Sequence, residues 1–442
     1  MTPRIASNFL TGSATLQLVR DGQLTVAQVA EDHLRRYDER DATIHAWKVL
    51  DKERVRQEAA RLDATPADQR GPLHGLVLGV KDVFYTRDMP TEFGSLIYEG
   101  NEDRVDAASV AILRHLGALV YGKTHTAEFA TTKVGPPTTN PFNPNHTPGG
   151  SSSGSAAAVG SIIRPATFTG IFGFKPTWGA VSPQGLKFGS ISLDTLGVFG
   201  RSIEDIQLVS QALGVRDDVP PPLRPKPLSE CRFAYVRTDQ WEQEGTVLEE
   251  LRYAWASSRR RLVRAGAHVD EIILPPDFDF ASGQYHTKVM AGEGRSMFLA
   301  EYTTSKPQLH PMLLDWVERR TSPSRKEQVA AYDHIASLRP VIDDIAGRYD
   351  ALIAASAPGE APFGIESTGD NRHCGMWTAL HVPCVNVPGF FGPNGLPVGL
   401  TLIAPRYEDE RLLSVASQVA KVWMEPRLGQ PPAPDGVVHL ST

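Results

Sequence analysis

A run of serines and one lysine are the residues of this chain whose types and positions could do covalent chemistry. The serines lie in TPGGSSSGSAAAVGSIIRPATFTGIFGFKPT (147–177), where Ser151–Ser153 sit between glycines and Ser161 follows Gly160. Glycine allows close backbone approach and serine supplies short hydroxyls, so this composition suits a site where a substrate meets backbone N–H groups and hydroxyl oxygens. A flexible Gly/Ser linker is the alternative, although the apolar residues that follow predict burial.

The lysine, Lys81, ends an apolar run. LHGLVLGVKDVF (73–84) is rich in β-branched residues and predicts a buried strand that stops at Lys81. A lysine at a strand end is usually exposed or salt-bridged. When a buried lysine faces hydroxyl groups, however, desolvation lowers its pKa and the neutral amine can accept a proton. Ser-Lys arrangements of this kind are known alternatives to Ser-His-Asp.

The elements that would position these groups alternate between helical and strand patterns. Thr25 predicts the N-cap of a helix whose apolar residues recur at helical spacing, and a second helix is predicted at about residues 51–62. After the strand that ends at Lys81, a helix and a short strand within residues 106–121 give a β-α-β order. Residues 381–405 predict two apolar strands joined by a Gly/Pro/Asn turn.

We therefore predict one α/β domain over residues 1–442, with a mixed, mostly parallel central sheet covered by helices on both faces. No internal repeat divides the chain, and the Pro-rich stretch at 217–228 is its best internal boundary. The predicted parts are an N-terminal helical layer (1–65), a core that carries the lysine and the serines (66–215), and a second half (230–425) with a helical insertion (280–349).

The composition excludes several classes of function. The 442 residues carry 45 Lys and Arg against 51 Asp and Glu, a net charge of −6, which supplies no general attraction for nucleic acid or anionic membranes. Three cysteines, with no CxxC or His/Cys cluster, indicate neither a disulfide framework nor a metal site. No secretory signal or membrane span is recognisable, so we expect a cytoplasmic protein without nucleic-acid or membrane partners. Homodimerisation is left open.

Several stretches, in this order along the chain, resemble the segments of the amidase signature family. They are GVKDVF with Lys81, the TTNPFNP loop with Asn140, GGSSSGSAAAV with Ser151, GSIIRPATFTGIFGFKPT with Ser161, SLDTLGVFGRSIED (192–205) and HVPCVNVPGFFGPNGLPVGLTLIAP (381–405). The resemblance covers about residues 25–422. It implies the amidase signature fold and hydrolysis of a small carbon–nitrogen amide, without metal or cofactor.

The resemblance also implies a Ser-cisSer-Lys triad. Ser161 would be the nucleophile, Ser151 the serine whose preceding peptide bond is cis, and Lys81 the neutral base. Lys81 would draw a proton from Ser151, which draws one from Ser161, so that Ser161 attacks the amide carbonyl and forms an acyl-enzyme. Lys81 would then help to return the proton to the leaving amine, and water would release the acid.

Further residues are expected to bind the substrate. Ser152 and Gly160 neighbour the two proposed catalytic serines, and the Gly/Pro-rich loop at 357–377 carries Asp370 and Trp377. The polarity of this loop favours a small polar amide over a lipid. Three more candidates, in segments where the resemblance places pocket walls, are Glu128, His286 and Glu293. Each of these, like Asp370 and Trp377, could equally be a structural or surface residue.

The chain departs from the family pattern between the two serines. Ten positions separate Ser151 from Ser161, whereas the family interval is more than twice as long and contains a strand and a Gly/Thr-rich turn that forms the oxyanion hole. If the intervening residues are helical, a rise of about 1.5 Å per residue puts the serines roughly 15 Å apart. We therefore predict an internal deletion between Val159 and Gly160.

This departure leaves alternatives open. Residues could be absent from the sequence, the gene product could be shortened, or another serine could act. Residues 150–154 fit G-x-S-x-G, which would make Ser152 a nucleophile, but loop signals stand where that motif needs a strand. Besides an active amidase, the alternatives are a catalytically impaired binding or structural subunit, and a glutamine-dependent amidotransferase subunit that needs a partner chain.

Overall fold

The structure is a computed structural model, and it describes residues 5–158, 162–222, 224–238 and 247–424, together with 241, 243 and 245. The predicted deletion point, Gly160 and Ser161 lie outside these described residues. None of the described helices is long and apolar enough to cross a membrane.

Helices and strands alternate along the chain. The strands are β1 (Trp47–Val49), β2 (Val77–Lys81), β3 (Leu119–Thr124), β4 (Phe172–Lys175), β5 (Val198–Gly200), β6 (Arg232–Arg237), β7 (His268–Ile273), β8 (Ala351–Ala355), β9 (Cys384–Phe391) and β10 (Pro397–Ile403). The α-helices are α1 (Gly12–Arg20), α2 (Val26–Ile44), α3 (Lys52–Asp63), α4 (Ala108–His115), α5 (Ser153–Ala158), α6 (Ile163–Phe168), α7 (Ile203–Ala212), α8 (Glu249–Arg264), α9 (Asp277–Phe280), α10 (His286–Met297), α11 (Leu299–Ser305), α12 (Pro311–Glu318), α13 (Arg325–Ala346), α14 (Arg372–Ala379) and α15 (Asp409–Trp423).

The described strands form two sheets, in the orders β1-β3-β2 and β5-β4-β9-β10-β8-β6-β7. The predicted mixed α/β fold is confirmed, but its expected detail, a mostly parallel sheet, is wrong for the described strands. Five of the eight pairings are antiparallel, and only β2–β3, β6–β7 and β6–β8 are parallel. The reason lies in the connections, because the short turn between β9 and β10 forces an antiparallel hairpin.

The N-terminal helices cover the smaller sheet. Thr25 caps α2 as predicted, since Thr25 Oγ1 accepts a hydrogen bond from Gln28 N at 3.1 Å and Gln28 Oε1 accepts one from Thr25 N at 3.0 Å. The apolar face of α2, including Val29 and Leu34, packs with α3 and with Tyr121 of β3. Helices α10 to α13 fall within residues 280–349. The division of the domain into a layer, a core and an insertion stays a prediction.

Helices cover both faces of the larger sheet, as predicted. Successive side chains of a strand point to opposite faces. On β6, Phe233 and Tyr235 pack in the core formed with α7, α8 and α15. Their neighbours Ala234 and Val236 pack in a second core, formed with α9, α13 and α14. The sheet is therefore buried on both sides.

The end of β2 is fixed by a buried ion pair immediately after Lys81. Asp82 Oδ1 lies 3.1 Å from Lys123 Nζ of β3, and both side chains are buried. The backbone N–H of Asp82 also donates to the carbonyl oxygen of Thr124 at 3.0 Å. Because β2 and β3 are parallel and in register from Val80 to Lys81, these contacts set where Lys81 leaves the sheet.

Two isoleucine truncations test the buried position of the larger sheet. Ile353 of β8 is fully buried, whereas Ile273 of the edge strand β7 is 63% exposed. We expect Ile353→Ala to lower the free energy of unfolding by about 2–5 kcal/mol, and the matched Ile273→Ala by about 1 kcal/mol or less. Urea unfolding of both variants measures the difference. Equal losses would contradict the described order of strands.

Candidate active site

A cavity of about 1020 Å³ lies between the two sheets. All five residues of β2 line it, as do Val198 and Phe199 of β5. Among the described strands, β2 pairs only with β3 and β5 only with β4, so each presents an unpaired edge to the cavity. Most of the lining is apolar, with side chains such as Val80, Leu113 and Met290. Polar groups in this cavity therefore lie among apolar side chains.

Lys81 and Ser151 meet at one wall of this cavity. The Lys81 ammonium donates a hydrogen bond from Nζ to Ser151 Oγ at 2.9 Å, and both residues line the cavity. The two residues are 70 positions apart in sequence. When the amine is neutral, the bond can reverse and the hydroxyl can donate to nitrogen. A lysine and a serine in this contact can exchange a proton.

Burial lowers the pKa of Lys81 from 10.5 to about 8, and the negative charge of Asp194 opposes this shift. Asp194 also lines the cavity. Its carboxylate accepts hydrogen bonds from the backbone N–H groups of Gly189 at 2.7 Å and Ser190 at 3.1 Å, while burial raises its own pKa. The net result is an amine that is partly neutral near pH 8.

The backbone around Ser151 is held by several hydrogen bonds. The Gly150–Ser151 peptide bond is cis. The carbonyl oxygen of Ser151 accepts from Ala127 N at 2.9 Å and from Thr126 Oγ1 at 3.1 Å. Ser153 Oγ donates to the Gly149 carbonyl oxygen at 2.6 Å. Hydrogen bonds to the carbonyl oxygens of Gly149 and Ser151 therefore hold the backbone of the serine that contacts Lys81.

Arg164 ties a second loop to this backbone. Its guanidinium, on α6, is buried and donates to the carbonyl oxygens of Gly150 and Gly369, the latter at 3.1 Å, and to Thr368 Oγ1 at 3.3 Å. Burial lowers the pKa of Arg164, but the group stays charged at neutral pH. One cation thus joins the serine-rich turn to the loop before α14.

The structure separates the predicted substrate-binding residues into two groups. Ser152 and Trp377 are buried and line the cavity. Asp370 is not among the lining residues, and its carboxylate instead accepts hydrogen bonds from the backbone N–H of Arg372 at 2.8 Å and from Arg372 Nε at 2.7 Å. Gly160 is among the residues that the structure does not describe.

Of the three further candidates, only His286 lines the cavity. Burial lowers the pKa of His286 to about 4, so its imidazole is neutral at physiological pH. Glu293 accepts hydrogen bonds from Ser192 Oγ and Tyr332 Oη, both at 2.6 Å. Glu128 accepts one from Ser95 Oγ at 2.8 Å. The two glutamates therefore hold neighbouring segments together.

Sequence reasoning missed Asp194 and Arg164 at this site. Both lie within stretches that carried the resemblance, SLDTLGVFGRSIED and GSIIRPATFTGIFGFKPT. A charged residue inside an otherwise apolar or small-residue segment was the available signal, because burying a charge requires a partner. The groups that they act on are remote in sequence, since Gly369 lies 205 positions from Arg164 and Lys81 ends β2, whereas Asp194 lies in the loop between β4 and β5. Only the fold brings them together.

The described part of the chain contains no group of three or more His, Cys, Asp or Glu side chains that could hold a metal ion. The three cysteines are free, and two of them, Cys374 and Cys384, line the cavity. Burial raises the pKa of Cys374 to about 11 and that of Cys384 to about 12, so both are thiols at neutral pH.

Known proteins resemble this chain along most of its length. A glutamyl-tRNA(Gln) amidotransferase subunit from Lysinibacillus sphaericus is 30% identical over 461 residues, covering 90% of this chain and 93% of the relative. The corresponding subunit from Acidothermus cellulolyticus is 31% identical over 473 residues, covering 91% and 92%. A crystal structure of an amidase superposes with a TM-score of 0.81 at 27% identity, covering 94% of this chain and 99% of that one.

Other solved structures share the fold. The peptide amidase from Stenotrophomonas maltophilia matches with a TM-score of 0.78 at 25% identity, covering 98% of this chain and 100% of that one. Fatty acid amide hydrolase matches with a TM-score of 0.84 at 21% identity, covering 96% and 87%, which is a likeness of fold alone. The family profile described as Amidase matches residues 28–413, a span that includes both Lys81 and Ser151. The chain belongs to the amidase signature family of hydrolases.

Proposed function

We propose that this protein is an amidase that hydrolyses a carbon–nitrogen amide of a small molecule through a serine acyl-enzyme. One observation carries the proposal, the 2.9 Å contact between Lys81 Nζ and Ser151 Oγ in a cavity large enough for a ligand. In this proposal Lys81 is the base, Ser151 relays the proton and Ser161 is the nucleophile.

In the proposed steps the proton moves from Ser161 through Ser151 to Lys81 and later returns along the same path. Neutral Lys81 accepts the proton of the Ser151 hydroxyl while Ser151 accepts that of Ser161, and the Ser161 oxygen attacks the amide carbonyl carbon. Collapse of the tetrahedral intermediate breaks the C–N bond, and the proton held by Lys81 returns through Ser151 to the leaving amine. Water then attacks the acyl-enzyme by the same relay, which releases the acid and restores Ser161.

The apolar cavity supports the role of Lys81, because a base must be neutral before it can accept a proton. An ordinary lysine is almost fully charged at neutral pH. With a pKa of about 8, roughly one Lys81 in ten is neutral at pH 7 and about half at pH 8. Asp194 keeps the pKa from falling further, so Lys81 also stays basic enough to hold the proton.

We further propose that the interval between Ser151 and Ser161 lacks residues that its relatives have. The alignment with the Lysinibacillus relative runs over 461 positions, yet it covers only 90% of the 442 residues of this chain, so this chain needs gaps. Ala158, which ends α5, and Ile162, which precedes α6, both line the cavity that the unpaired edges of β2 and β5 face. Residues inserted between them would enter that cavity, which supports the predicted site of the deletion.

The lining also bears on the substrate. His286 is neutral, and the thiols of Cys374 and Cys384 are protonated. Four cations besides Lys81 line the cavity, of which Arg164 and Lys175 donate to backbone carbonyl oxygens and Lys187 to Glu301, while the fourth is Lys133. The apolar side chains that make up most of the lining favour an amide with an apolar part, which would displace water from the cavity wall. The polarity of the loop at 357–377 favours a polar amide. However, the Asp370 carboxylate of this loop accepts a hydrogen bond from Arg372 and does not line the cavity.

A catalytically impaired protein is the main alternative. Loss of a single oxyanion-hole donor typically lowers kcat by about 10²–10³, so a missing turn before Ser161 could leave an amidase-like fold without turnover. The Lys81–Ser151 contact would persist in such a protein, because it involves only residues before the deletion. Only a measurement of hydrolysis therefore distinguishes an active amidase from a catalytically impaired protein.

A second candidate function is that of a glutamine-dependent amidotransferase subunit. The two glutamyl-tRNA(Gln) amidotransferase relatives, at 30% and 31% identity over about nine-tenths of this chain, favour it specifically. Such a subunit would act with a partner chain. The net charge of −6 gives this chain no general attraction for RNA, so contact with a tRNA would fall to the partner.

The proposed base gives the first prediction. Hydrolysis of a p-nitroanilide of a small carboxylic acid should rise about tenfold per pH unit below pH 8 and level off above it, because Lys81 must lose its proton. Lys81→Ala should reduce hydrolysis to background, whereas the matched Lys326→Ala, at an exposed position of α13, should keep the wild-type profile. Rates measured between pH 6 and pH 10 test this. An unchanged profile in Lys81→Ala would remove this lysine as the base.

The nucleophile gives the second prediction. A fluorophosphonate probe, followed by peptide mapping of residues 140–175, should label Ser161 and should leave Ser161→Ala unlabelled. Ser152→Ala should still react, because Ser152 has no proposed covalent role. The same spectrum reports whether Val159 is joined directly to Gly160. Labelling at Ser152, or no labelling of the authentic protein, would refute the proposed mechanism.

The amidotransferase alternative gives the third prediction. As an amidase acting alone, the purified chain should hydrolyse simple amides faster than it releases ammonia from glutamine. Parallel assays of p-nitroaniline and ammonia at equal substrate concentrations measure the ratio. Glutaminase activity that appears only when a partner protein is added would favour the amidotransferase function instead.

A further inference from the structure

A second cavity, of about 460 Å³, lies beside the first and shares Trp178 and no catalytic group with it. One face of α13 forms a wall, and the segments after β4, before β9 and after β10 form the others, together with Ser192. The side chains on which the inference rests are Trp178, Ser192, Tyr332, Arg339, His381 and Arg406. Nothing in the proposed reaction uses this cavity.

Arg339 is a cation without a carboxylate partner in the described part of the chain. Its Nε and Nη2 donate to the carbonyl oxygen of Ala379, both at 3.2 Å, and Nη2 lies 3.0 Å from His381 Nε2. Burial and the nearby charge of Arg406 lower the pKa of Arg339. A guanidinium has five N–H donors, so this group keeps donors for a further acceptor.

His381 cannot satisfy Arg339 fully. The same nitrogen, Nε2, also lies 2.8 Å from the carbonyl oxygen of Ser192. If Nε2 carries the proton, it donates to Ser192 and offers nothing to Arg339. If it carries none, it can accept from Arg339 but leaves the Ser192 carbonyl without that donor. Either tautomer leaves one polar group of the cavity wall short of a partner.

Of the cationic groups at this cavity, Arg339 is the one without an ion-pair partner among the described residues. Arg406 forms a two-pronged contact with Asp343, from Nε at 2.8 Å and Nη2 at 2.6 Å, and this pair is close to neutral. Burial lowers the pKa of His381 to about 3, and the positive charges of Arg339, Lys175 and Arg406 add to this effect. Asp333, the one carboxylate on the lining, is exposed, so solvent screens its charge. The charge of Arg339 therefore remains uncompensated.

We propose that this second cavity binds a small oxyanion, the carboxylate or phosphate group of a ligand, on the guanidinium group of Arg339, with the N–H groups of Arg406 that Asp343 does not accept lying beside it. Planar guanidinium donors match the paired oxygens of either group. The ring of Trp178, stacked on His381 with centroids 4.6 Å apart, forms the wall next to the bound group. The site lies outside the catalytic groups, so binding there does not depend on amide hydrolysis.

Thermal unfolding of the full chain in sodium phosphate or sodium acetate, against sodium chloride at equal ionic strength, tests the proposal. At saturation, one of the two oxyanions should raise Tm by about 2–4 °C. Arg339→Gln should weaken its binding by roughly tenfold or more, because a charge-assisted hydrogen bond is lost. The matched Arg259→Gln, at an exposed position of α8, should leave binding unchanged. The more effective anion identifies the ligand group as phosphate or carboxylate.

A second measurement covers the case in which Arg339→Gln does not fold. Adding the effective anion to the wild type should change tryptophan fluorescence, and Trp178→Phe should abolish this change while binding, measured by calorimetry, persists. Arg339→Lys keeps the charge but loses the planar fork, and it should bind more weakly than the wild type. The absence of a Tm shift with both anions, or equal shifts in wild type, Arg339→Lys and Arg339→Gln, would overturn the proposal.

Discussion

The amine of Lys81, buried at the end of a strand, is the constraint on which the rest of the site depends. A pKa that falls from 10.5 to about 8 corresponds to about 3 kcal/mol of differential interaction between the charged and neutral forms. Because the pKa is lower in the folded chain than in the unfolded chain, this cost is fully present below pH 8. It decreases as the pH rises towards 10.5 and vanishes above it. Apolar packing elsewhere in the chain must offset this free-energy cost of burying the charged lysine.

Contacts between distant segments hold the groups around Lys81 in position. The buried pair of Asp82 and Lys123 fixes the strand end, and Arg164 joins the serine turn to the loop at 368–369. Each contact links segments that are distant in sequence, so the amine and the hydroxyl meet through the tertiary structure. The 2.9 Å contact between Lys81 and Ser151 is thus a product of tertiary structure rather than of either motif alone.

Local patterns predicted the elements better than the site. The strand that ends at Lys81 and the two C-terminal strands follow from periodicity and turn residues, which act over a few positions. The relative direction of paired strands depends on which strands become neighbours, which local patterns do not reveal. The prediction of a mostly parallel sheet was therefore wrong. Resemblance selected Lys81 and Ser151 together, and their contact agrees with a shared role that remains proposed. It also selected Asp370, which has a nearer partner in Arg372 and so little reason to face a cavity. Asp194, whose charge acts on Lys81 through space, leaves no such local pattern.

The contact between Lys81 and Ser151 and the proposed reactivity of Ser161 depend on different parts of this chain. The first requires β2, the turn at Gly150 and the buried cations, all of which precede or surround the short interval. The second requires backbone donors next to Ser161 that can stabilise an oxyanion, and those donors would come from the interval itself. Loss of residues from this interval would therefore impair the proposed turnover, whereas the contact between the desolvated lysine and its serine involves none of those residues.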